Sequence, residues 1–409
     1  MPVYLFLYSI FLYGYKTAIK IAAFWNPKAR AWIEGRKTVS EQLRRIPAEK
    51  KTIWMHCASL GEFEQGRPLL EAIRKKFPEK FLVLTFFSPS GYEIRKNYSG
   101  ADLVLYLPLG GKTSSRQFVR ALNPEMVFWI KYDYWYHYLS FLHKSSVPLY
   151  LISASFRRNQ PFFSWYGKLH RQMLGFFTHM FVQTENSQRL LEHILPSSKI
   201  TVSGDTRFDR VIEIAAAQTP VEGIADFVQE HPVVVAGSTW PEDIEELDHY
   251  ANTRTDIRFI IAPHEVVAEN IQDIRKLMPA AVTYSEMLAG QPTQHILIID
   301  NIGMLSQLYR FATIAYIGGG FGDDGVHNVP EAAVYGIPVV FGPVFDKYLE
   351  AIDLLEEGAA YTVESALELE ATFDRLFNNP DLYRASAASA RQYIYGKAGA
   401  TERIMRHIW

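Results

Sequence analysis

Short apolar runs, rich in β-branched and aromatic residues, alternate along the chain with helix-length segments that mix polar and apolar residues. Continuous apolar strands that alternate with helices are typical of parallel sheets covered on both faces. The runs form two series of similar size, and 409 residues are too many for one ordinary core. We therefore predict an α/β chain with two doubly wound halves and a seam near residues 203–210. The runs are 52–59, 81–87, 102–108, 126–130, 148–155 and 179–184 in the first half, and 200–204, 233–238, 258–263, 296–300, 313–320 and 337–342 in the second.

The N-terminal end is first apolar and then basic. The uncharged stretch 3–15 is shorter than the roughly 20 residues that a membrane-spanning helix needs, and Lys16 and Lys20 follow it. No basic residue precedes this stretch and no small-residue cleavage site follows it, which disfavours a signal peptide. Residues 1–51 carry ten basic and three acidic side chains, although the net charge of the chain is −2. We predict a helix that lies on or dips into an anionic membrane surface; the alternative is an amphipathic helix docked on its own domain.

Polar residues stand just after several of the apolar runs. In open parallel sheets, ligands bind beyond the carboxyl ends of the strands, so these positions are candidates for a site. After the first run come Ser59, Gly61 and Glu62, and two later runs lead into Ser88 and into the segment Lys131–Asp133. Glu62 is either an acid in the first turn of a helix or a base that removes a proton from a substrate.

The richest polar segment of the second half spans residues 316–343. A strand runs into Gly318–Gly320, and a helix is expected to begin near Val329 with Asn328 as its N-cap. Glycines let backbone N–H groups approach an anion, and a helix N-terminus adds a partial positive charge. Glu331 offers acceptors for ribose hydroxyls. The alternative is a tight turn that is merely rich in glycine.

Other strand ends of the second half offer weaker signals. Ser238 and Thr239 predict a phosphate site or a helix cap, and His264 follows the next run. Metal binding has little support, because the chain has no H-E-x-x-H motif and the Gly-Asp-Asp loop at 322–324 lacks a paired carboxylate. A single cysteine, Cys57, excludes an internal disulfide and a multi-cysteine metal site, and we interpret it as a buried strand residue.

Eight segments in a fixed order carry a resemblance to a known family. They are MHCASLGEFEQGRPLL (55–70), LTFFSPSGYE (84–93), YLPL (106–109), VSGDTRFDR (202–210), AGSTWPEDIEEL (236–247), IAPHE (261–265), IDNIGMLSQLYRFATIAYIGGGF (299–321) and GVHNVPEAAVYGIPVVFGP (325–343). With these segments the chain resembles, over nearly its whole length, the transferases that attach 3-deoxy-D-manno-octulosonic acid (Kdo) to lipid A precursors. Those enzymes are GT-B-type glycosyltransferases.

The resemblance implies two Rossmann-like domains facing a cleft, preceded by a membrane-associated helix. Residues 1–30 would be the membrane segment, 31–205 the domain for the lipid A precursor, and 206–409 the domain for CMP-Kdo. Whether the last helix packs back on the N-terminal domain stays open. The implied reaction is an inverting transfer of Kdo from CMP-Kdo to a lipid IVA-like glucosamine disaccharide, in lipopolysaccharide inner-core synthesis.

The implied setting is the cytoplasmic face of a bacterial inner membrane. CMP-Kdo would be a co-substrate, and the resemblance implies neither a metal nor another cofactor. The expected partners are the lipid A precursor, CMP-Kdo and the membrane surface, and no nucleic acid.

The resemblance also implies roles for particular residues. Glu62 falls on the catalytic glutamate of the family and would act as general base, with Asp133 as a second catalytic candidate. The implied donor-binding residues are Ser238, Thr239, His264, Gly318, Gly319, Gly320, Asn328 and Glu331. The implied acceptor-binding residues are Ser59, Gly61, Ser88 and Lys131.

Three departures from the family pattern leave the donor and acceptor contacts open. Lys131 and Asp133 stand where family members usually have the two acids of an E-T-E-x-W segment. His264 stands where an arginine usually follows the proline. The charge of a strand-end Ala-Arg motif would come from Arg157 or Arg158 instead.

Two other functions compete with Kdo transfer. One is a nucleotide-sugar epimerase of the same GT-B architecture, which would need no lipid anchor. The other is a catalytically inactive membrane-bound homologue; the intact Glu62, Asn328 and Glu331 argue against it, whereas Lys131 leaves it some room.

Overall fold

The computed structural model describes residues 3–323 and 325–409, which divide into two units. Unit 1 comprises the chain up to Arg210 together with Gly399–Trp409, and unit 2 comprises Val211–Ala398. The division thus lies slightly beyond the sequence-based boundary between 205 and 206, and the C-terminal helix belongs to unit 1.

Unit 1 is built on a seven-stranded sheet in which every paired strand is parallel, in the order β3-β2-β1-β4-β5-β6-β7. Its strands are β1 (Thr52–Cys57), β2 (Phe81–Phe86), β3 (Leu103–Tyr106), β4 (Pro124–Ile130), β5 (Leu149–Ala154), β6 (His179–Val182) and β7 (Ile200–Val202). Its helices are α1 (Val3–Ala22), α2 (Pro27–Lys37), α3 (Val39–Gln42), α4 (Leu60–Lys76), α5 (Pro89–Arg95), α6 (Lys112–Leu122), α7 (Tyr136–Lys144), α8 (Lys168–Gly175), α9 (Glu185–Glu192), α10 (Thr206–Ala217, which runs across the division) and, at the C-terminus, α20 (Ala400–Ile408).

Unit 2 repeats this plan with a second parallel sheet of seven strands, in the order β10-β11-β9-β8-β12-β13-β14. Its strands are β8 (Val233–Thr239), β9 (Arg258–Pro263), β10 (Ala281–Thr283), β11 (Ile296–Ile298), β12 (Ile314–Ile317), β13 (Val339–Phe341) and β14 (Ala360–Thr362). Its helices are α11 (Ile224–Val228), α12 (Pro241–Thr253), α13 (Ala268–Leu277), α14 (Tyr284–Leu288), α15 (Leu305–Leu308), α16 (Pro330–Ala333), α17 (Leu349–Glu356), α18 (Ala366–Asn378) and α19 (Pro380–Gly396).

The strand order reverses beside the first strand of each sheet. In unit 1 the chain moves outward from β1 through β2 and β3 and then returns to β4 on the other side of β1. In unit 2 it returns in the same way to β12 on the other side of β8. Since parallel crossovers are right-handed, the helices on the two sides of this reversal cover opposite faces of the sheet, and ligands bind where the order reverses. The prediction of two doubly wound parallel halves is confirmed.

Each sheet differs from the sequence-based strands at its edges. The run at 200–204, counted with the second half, forms β7 at the edge of the unit 1 sheet. β10 and β14 were not predicted, because their sequences, Ala-Val-Thr and Ala-Tyr-Thr, are less apolar than the Ile- and Val-rich runs of the equally short strands β11 and β13.

The core of unit 1 lies between its sheet and the covering helices and is strongly aromatic. Trp54 on β1 meets Trp129 on β4 edge-on at 5.5 Å and contacts Phe118 of α6 at 5.8 Å. At the C-terminus, the Asp209 carboxylate accepts hydrogen bonds from the backbone N–H groups of Gly399 and Thr401, both at 2.6 Å. These bonds join α20 to unit 1.

Candidate active site

Glu62 lies in the first turn of α4, directly after β1. Ser59 is the N-cap of this helix, and its hydroxyl accepts a hydrogen bond from the Glu62 backbone N–H at 3.4 Å. The Glu62 side chain turns back towards the strand, where Oε2 accepts from the Ala58 backbone N–H. A Cβ at Gly61 would meet nothing within 4 Å, so the turn beside Glu62 is open.

Desolvation raises the pKa of Glu62 to about 7. The Ala58 N–H opposes this by stabilising the carboxylate, the negative charge of Asp133 raises the pKa further, and Lys131 and the Tyr132 N–H lower it. A carboxyl group with a pKa near 7 is a base well matched to neutral pH, and such perturbed groups cluster at functional sites.

Asp133 lies in the segment that follows β4, on the other side of the switch point from Glu62. Its Oδ2 accepts from the Trp135 indole N–H at 2.7 Å and lies 3.0 Å from His56 Nε2. His56 Nδ1 in turn lies 2.8 Å from the Thr85 hydroxyl. One proton arrangement satisfies the chain: His56 donates from Nε2 to Asp133 and accepts at Nδ1 from Thr85. Asp133 is therefore held firmly by neighbouring side chains.

The segment between β4 and α7 is held in an uncommon conformation. Lys131 has φ 55°, in the left-handed region that non-glycine residues rarely adopt. The backbone carbonyl of Asp133 accepts from the Trp129 indole N–H. The Tyr134 hydroxyl is buried and has no hydrogen-bond partner in the described parts of the chain, and burial raises its pKa well above the usual value. Strained residues and orphaned buried groups are concentrated at functional sites.

The remaining predicted residues of unit 1 lie along the same sheet edge. Ser88 is the N-cap of α5, and its hydroxyl accepts from the Ser90 N–H at 3.2 Å. Its own backbone N–H donates to the Ala58 carbonyl at 2.7 Å, which joins the ends of β1 and β2. Unit 1 thus brings together Ser59, Gly61, Glu62, Ser88, Lys131 and Asp133, whereas His56, Trp135 and Tyr134 were missed by the sequence analysis.

Asp243 organises the corresponding edge of unit 2. It is fully buried in the first turn of α12, and its carboxylate accepts from the Trp240 N–H at 2.8 Å, the Gly319 N–H at 2.8 Å and the Tyr316 hydroxyl at 2.7 Å. Burial raises its pKa, while these three bonds oppose the shift. Asp243 thereby fastens the turn after β8 to the turn after β12.

The three glycines after β12 allow backbone segments to come close together. A Cβ at Gly318 would lie 2.4 Å from the Ser238 carbonyl oxygen, and one at Gly320 would lie 2.5 Å from the Gly342 nitrogen. Gly319 has φ 91°. The Gly318 N–H donates to the Gly237 carbonyl and the Gly319 N–H to Asp243. These two N–H groups are therefore engaged within unit 2 and do not provide the anion contacts that the sequence suggested.

Ser238 and Thr239 end β8 at the switch point of unit 2. Ser238 has φ 55°, again in the left-handed region. The Thr239 hydroxyl is buried and has no hydrogen-bond partner among the described residues.

A stack of three rings lies beside these residues. The ring of His264 is nearly parallel to that of Trp240 at 4.7 Å and to that of His327 at 4.5 Å. The Trp240 indole N–H donates to His327 Nε2 at 2.9 Å. The sequence analysis singled out His264 alone; the positions of Trp240 and His327 just beyond the ends of β8 and β12 were the available signal.

Asn328 and Glu331 contact each other rather than capping a helix. α16 begins at Pro330 with Val329 as its N-cap, so the expected N-cap role of Asn328 is wrong. The Asn328 side-chain NH₂ donates to Glu331 Oε1 at 2.6 Å. Asn328 Oδ1, the atom that would cap a helix, is buried and has no hydrogen-bond partner among the described residues.

Two wider features of the chain bear on function. Over residues 3–323 and 325–409, no group of three or more His, Cys, Asp or Glu side chains is placed to hold a metal ion; Asp324 of the Gly-Asp-Asp loop lies outside these residues. Within the same described ranges, no helix combines the length and apolarity needed to cross a membrane.

Comparisons with known proteins agree with the motifs. Residues 37–210 match the family model described as 3-deoxy-D-manno-octulosonic-acid transferase (kdotransferase). The chain is 27% identical to a 3-deoxy-D-manno-octulosonic acid transferase of Chlamydia trachomatis serovar A over 81% of this chain and 80% of the relative. It is 26% identical to the Bordetella pertussis transferase of the same name, over 86% of each chain. The resemblance to the Kdo transferases is confirmed, and these relatives support glycosyltransferase activity.

A solved structure shows the same fold. The UDP-GlcNAc 2-epimerase from Neisseria meningitidis bound to UDP-GlcNAc aligns with a TM-score of 0.64 and 16% identity, covering 87% of this chain and 99% of that one. At this identity the likeness shows the fold alone. The predicted GT-B-type α/β class is confirmed.

Proposed function

We propose that this protein is an inverting glycosyltransferase, because residues 37–210 match the Kdo transferase family model and about four-fifths of the chain aligns with a Kdo transferase at 27% identity. It transfers Kdo from CMP-Kdo to a lipid A precursor, a lipid IVA-like glucosamine disaccharide, in lipopolysaccharide inner-core synthesis. The observation that carries this proposal is Glu62: a partly exposed carboxyl group with a pKa of about 7 at the switch point of unit 1.

In the proposed reaction, an acceptor hydroxyl attacks the anomeric carbon of Kdo. Glu62 takes the hydroxyl proton as the new C–O bond forms, and the bond from the anomeric carbon to the phosphate oxygen breaks. A single displacement inverts the configuration at that carbon. A hydroxyl is a poor nucleophile at neutral pH, and a positioned base typically contributes ~10²–10⁴-fold.

The surroundings of Glu62 suit this role. The negative charge of Asp133 raises the pKa of Glu62, which makes it a stronger base. The positive charge of Lys131 lowers this pKa and so favours the ionised carboxylate. Asp133 itself is engaged by His56 and Trp135, which favours a positioning role for it over that of a second base. Ser59, Gly61 and Ser88 would form the adjoining surface for the acceptor, and Lys131 would add positive charge beside it.

CMP-Kdo is proposed to bind unit 2. Thr239 and Ser238 would contact the phosphate, and Asn328 and Glu331 the nucleoside. The Thr239 hydroxyl and Asn328 Oδ1 are buried and accept no hydrogen bond from any described residue. The exposed ring of His264 offers a flat surface for stacking. Gly318–Gly320 would act by keeping these turns close together. The leaving CMP is a stable anion, so the proposed chemistry needs no divalent metal.

The membrane surface is the proposed third partner. Apolar side chains of α1 point away from unit 1 and are each more than half exposed; they are Val3, Phe6, Leu7, Ile10 and Phe11. Apolar helix faces of this kind bury themselves at the boundary between headgroups and acyl chains, and the basic residues of 1–51 favour anionic headgroups. The proposed location is the cytoplasmic face of the bacterial inner membrane.

A transfer assay tests the proposal. The purified protein is incubated with CMP-Kdo and a tetraacylated lipid A precursor, and the release of CMP and the product mass are measured. Product heavier by Kdo is expected. A parallel incubation with UDP-N-acetylglucosamine tests the epimerase alternative. The absence of transfer under conditions in which a related Kdo transferase is active would reject the proposal. Epimerised sugar in the parallel incubation would support the epimerase function instead.

A further inference from the structure

The inward face of α1 contacts the segment that leads from β4 to α7. The Tyr8 hydroxyl accepts a hydrogen bond from the Tyr136 backbone N–H at 3.2 Å, and its ring lies 5.5 Å from that of His137. Tyr136 is the first residue of α7, and Trp135, the N-cap, provides no side-chain cap. The first N–H groups of a helix lack partners within the helix, so Tyr8 supplies an acceptor that the segment itself does not.

A second path of contacts runs from α1 to the same segment through ring stacking. Tyr15 stacks on Phe87 at 6.2 Å, and Phe87 lies 4.7 Å from the ring of Trp135. The Trp135 indole N–H then donates to Asp133 at 2.7 Å. Tyr8 and Tyr15 both lie close enough to Asp133 for its charge to raise their pKa values. The residue between them on this face, Leu12, is buried.

We propose that α1 is a positioning element of the catalytic centre, in which Tyr8 and Tyr15 hold residues 131–136 so that Asp133 and Lys131 stay beside Glu62. This inference rests on the function proposed above and goes beyond it, because it gives the helix that faces the membrane a second task. Its outward side chains meet the lipid surface, and its inward side chains set the environment of the base.

The charged and titratable groups that face Glu62 show why this matters. They are Asp133, Lys131, Tyr132 and Tyr134 of the held segment, and Cys57 of β1. All but the thiol belong to the segment that α1 contacts. If α1 loosens, water reaches Glu62 and Asp133 moves away. Both changes make the carboxyl group easier to ionise, whereas the loss of Lys131 and of the Tyr132 N–H has the opposite effect. Because desolvation is the largest cause of the raised pKa, the pKa of Glu62 falls towards its usual range.

Tyr8→Phe is the principal test, because it removes only the hydroxyl that accepts from Tyr136. Tyr13→Phe is the matched control: the same change on the same helix, at a ring that is 77% exposed. Tyr15→Leu tests the stacking path separately. Hydrogen exchange of the Tyr136 amide, a ¹³C NMR titration of Glu62 assigned with Glu62→Gln, and turnover of a detergent-dispersed acceptor against pH are measured on the full chain.

In Tyr8→Phe we expect the Tyr136 amide to exchange about fivefold faster, as the loss of one hydrogen bond predicts. The midpoint of the Glu62 titration and the acid limb of the turnover profile should both move to lower pH. Tyr13→Phe should match the unchanged protein in amide exchange, in the Glu62 titration and in turnover. A Glu62 midpoint that stays in place in both Tyr8→Phe and Tyr15→Leu would overturn the inference. If the unchanged protein transfers no Kdo, the proposed function fails, and the NMR titration still decides whether α1 positions Glu62.

Discussion

Glu62 and Asp243 occupy the same place in the two units. Each is the third residue of the helix that follows the first strand of its sheet, and burial raises the pKa of each. Their hydrogen bonds differ. Asp243 is fully buried and accepts from three donors on two segments, whereas Glu62 is partly exposed and accepts from backbone N–H groups beside an open turn.

This difference shows how one fold position can serve structure or chemistry. A carboxylate whose lone pairs are engaged by the protein holds backbone segments together and has little left to offer a substrate. A carboxylate that keeps a free approach and a pKa near neutrality can exchange a proton. We therefore expect changes at Glu62 to lower activity without lowering stability, and changes at Asp243 to lower stability.

The largest expected effect is the loss of activity in Glu62→Gln. Glutamine keeps the size of the side chain and an oxygen for the Ala58 N–H, but it cannot take a proton. Turnover with CMP-Kdo should fall by ~10²–10⁴-fold, while the melting temperature at neutral pH should not fall, because glutamine lacks the desolvated charge. Glu64→Gln is the matched control. Glu64 lies on the same helix as Glu62, but it pairs with Arg95 of α5 at 2.9 Å, so this variant should keep its turnover. Full turnover in Glu62→Gln would remove the assignment of the base.

The next largest effect is the loss of stability in Asp243→Ala. The substitution leaves the Trp240 N–H, the Gly319 N–H and the Tyr316 hydroxyl without their acceptor, and each unsatisfied buried group costs about 1–3 kcal/mol. The free energy of unfolding, measured by urea denaturation, should drop by several kcal/mol. Asp273→Ala is the control. It removes an exposed ion pair with Lys276 and should change the free energy of unfolding by less than about 1 kcal/mol. Equal stability of the two variants would contradict the structural role of Asp243.

The glycines of the two turns should respond differently to alanine. In Gly320→Ala the new Cβ would lie 2.5 Å from the Gly342 nitrogen, and overpacking against backbone costs about 1–3 kcal/mol. In Gly61→Ala the methyl group meets nothing within 4 Å, and alanine favours the helix, so stability should stay the same or rise slightly. Thermal unfolding of both variants tests this, and similar melting temperatures would show that the turns are equally packed.

The smallest expected effect is on the pH dependence. Since Glu62 must be ionised to act as base, kcat/KM should rise about tenfold per pH unit up to pH 7 and level off above it. The folded protein keeps this proton between the usual pKa of 4.5 and about 7, whereas the unfolded chain has lost it. The contribution of Glu62 to stability therefore falls as pH rises through this window, and Glu62→Gln should abolish that part of the slope. A flat rate profile from pH 6 to 8 would contradict the raised pKa.

The sequence predicted the fold well where the signal was local. The apolar runs that became β1 to β6 are four to seven residues long in the structure and mostly buried, so their pattern is strong. The edge strands β10 and β14, Ala-Val-Thr and Ala-Tyr-Thr, lack a strong apolar run and were missed. Asn328 was expected to cap a helix, but the helix begins one residue later than the sequence suggested, with Val329 as its N-cap.

The candidate site was predicted only where its residues follow directly after an apolar run, which is again a local signal. The residues after each run lie at the carboxyl edge of a parallel sheet, so Glu62, Asp133 and Ser238 could be singled out from position alone. The ring stack of Trp240, His264 and His327 joins three distant turns, and no local pattern reports it. The contact of Tyr8 with Tyr136 spans 128 residues and was equally hidden.

By itself, the sequence determined the two parallel sheets and the polar residues at their edges, because alternation and strand length are properties of neighbouring residues. Only the tertiary structure decided which of two acids at equivalent positions, Glu62 and Asp243, has its carboxylate occupied by hydrogen bonds from distant segments. Asp243 meets the Gly319 N–H across 76 residues, while the approach to Glu62 stays open. Such pairings depend on distances of a few tenths of an ångström between segments far apart in the chain, and a hydrogen bond forms only when those distances are right.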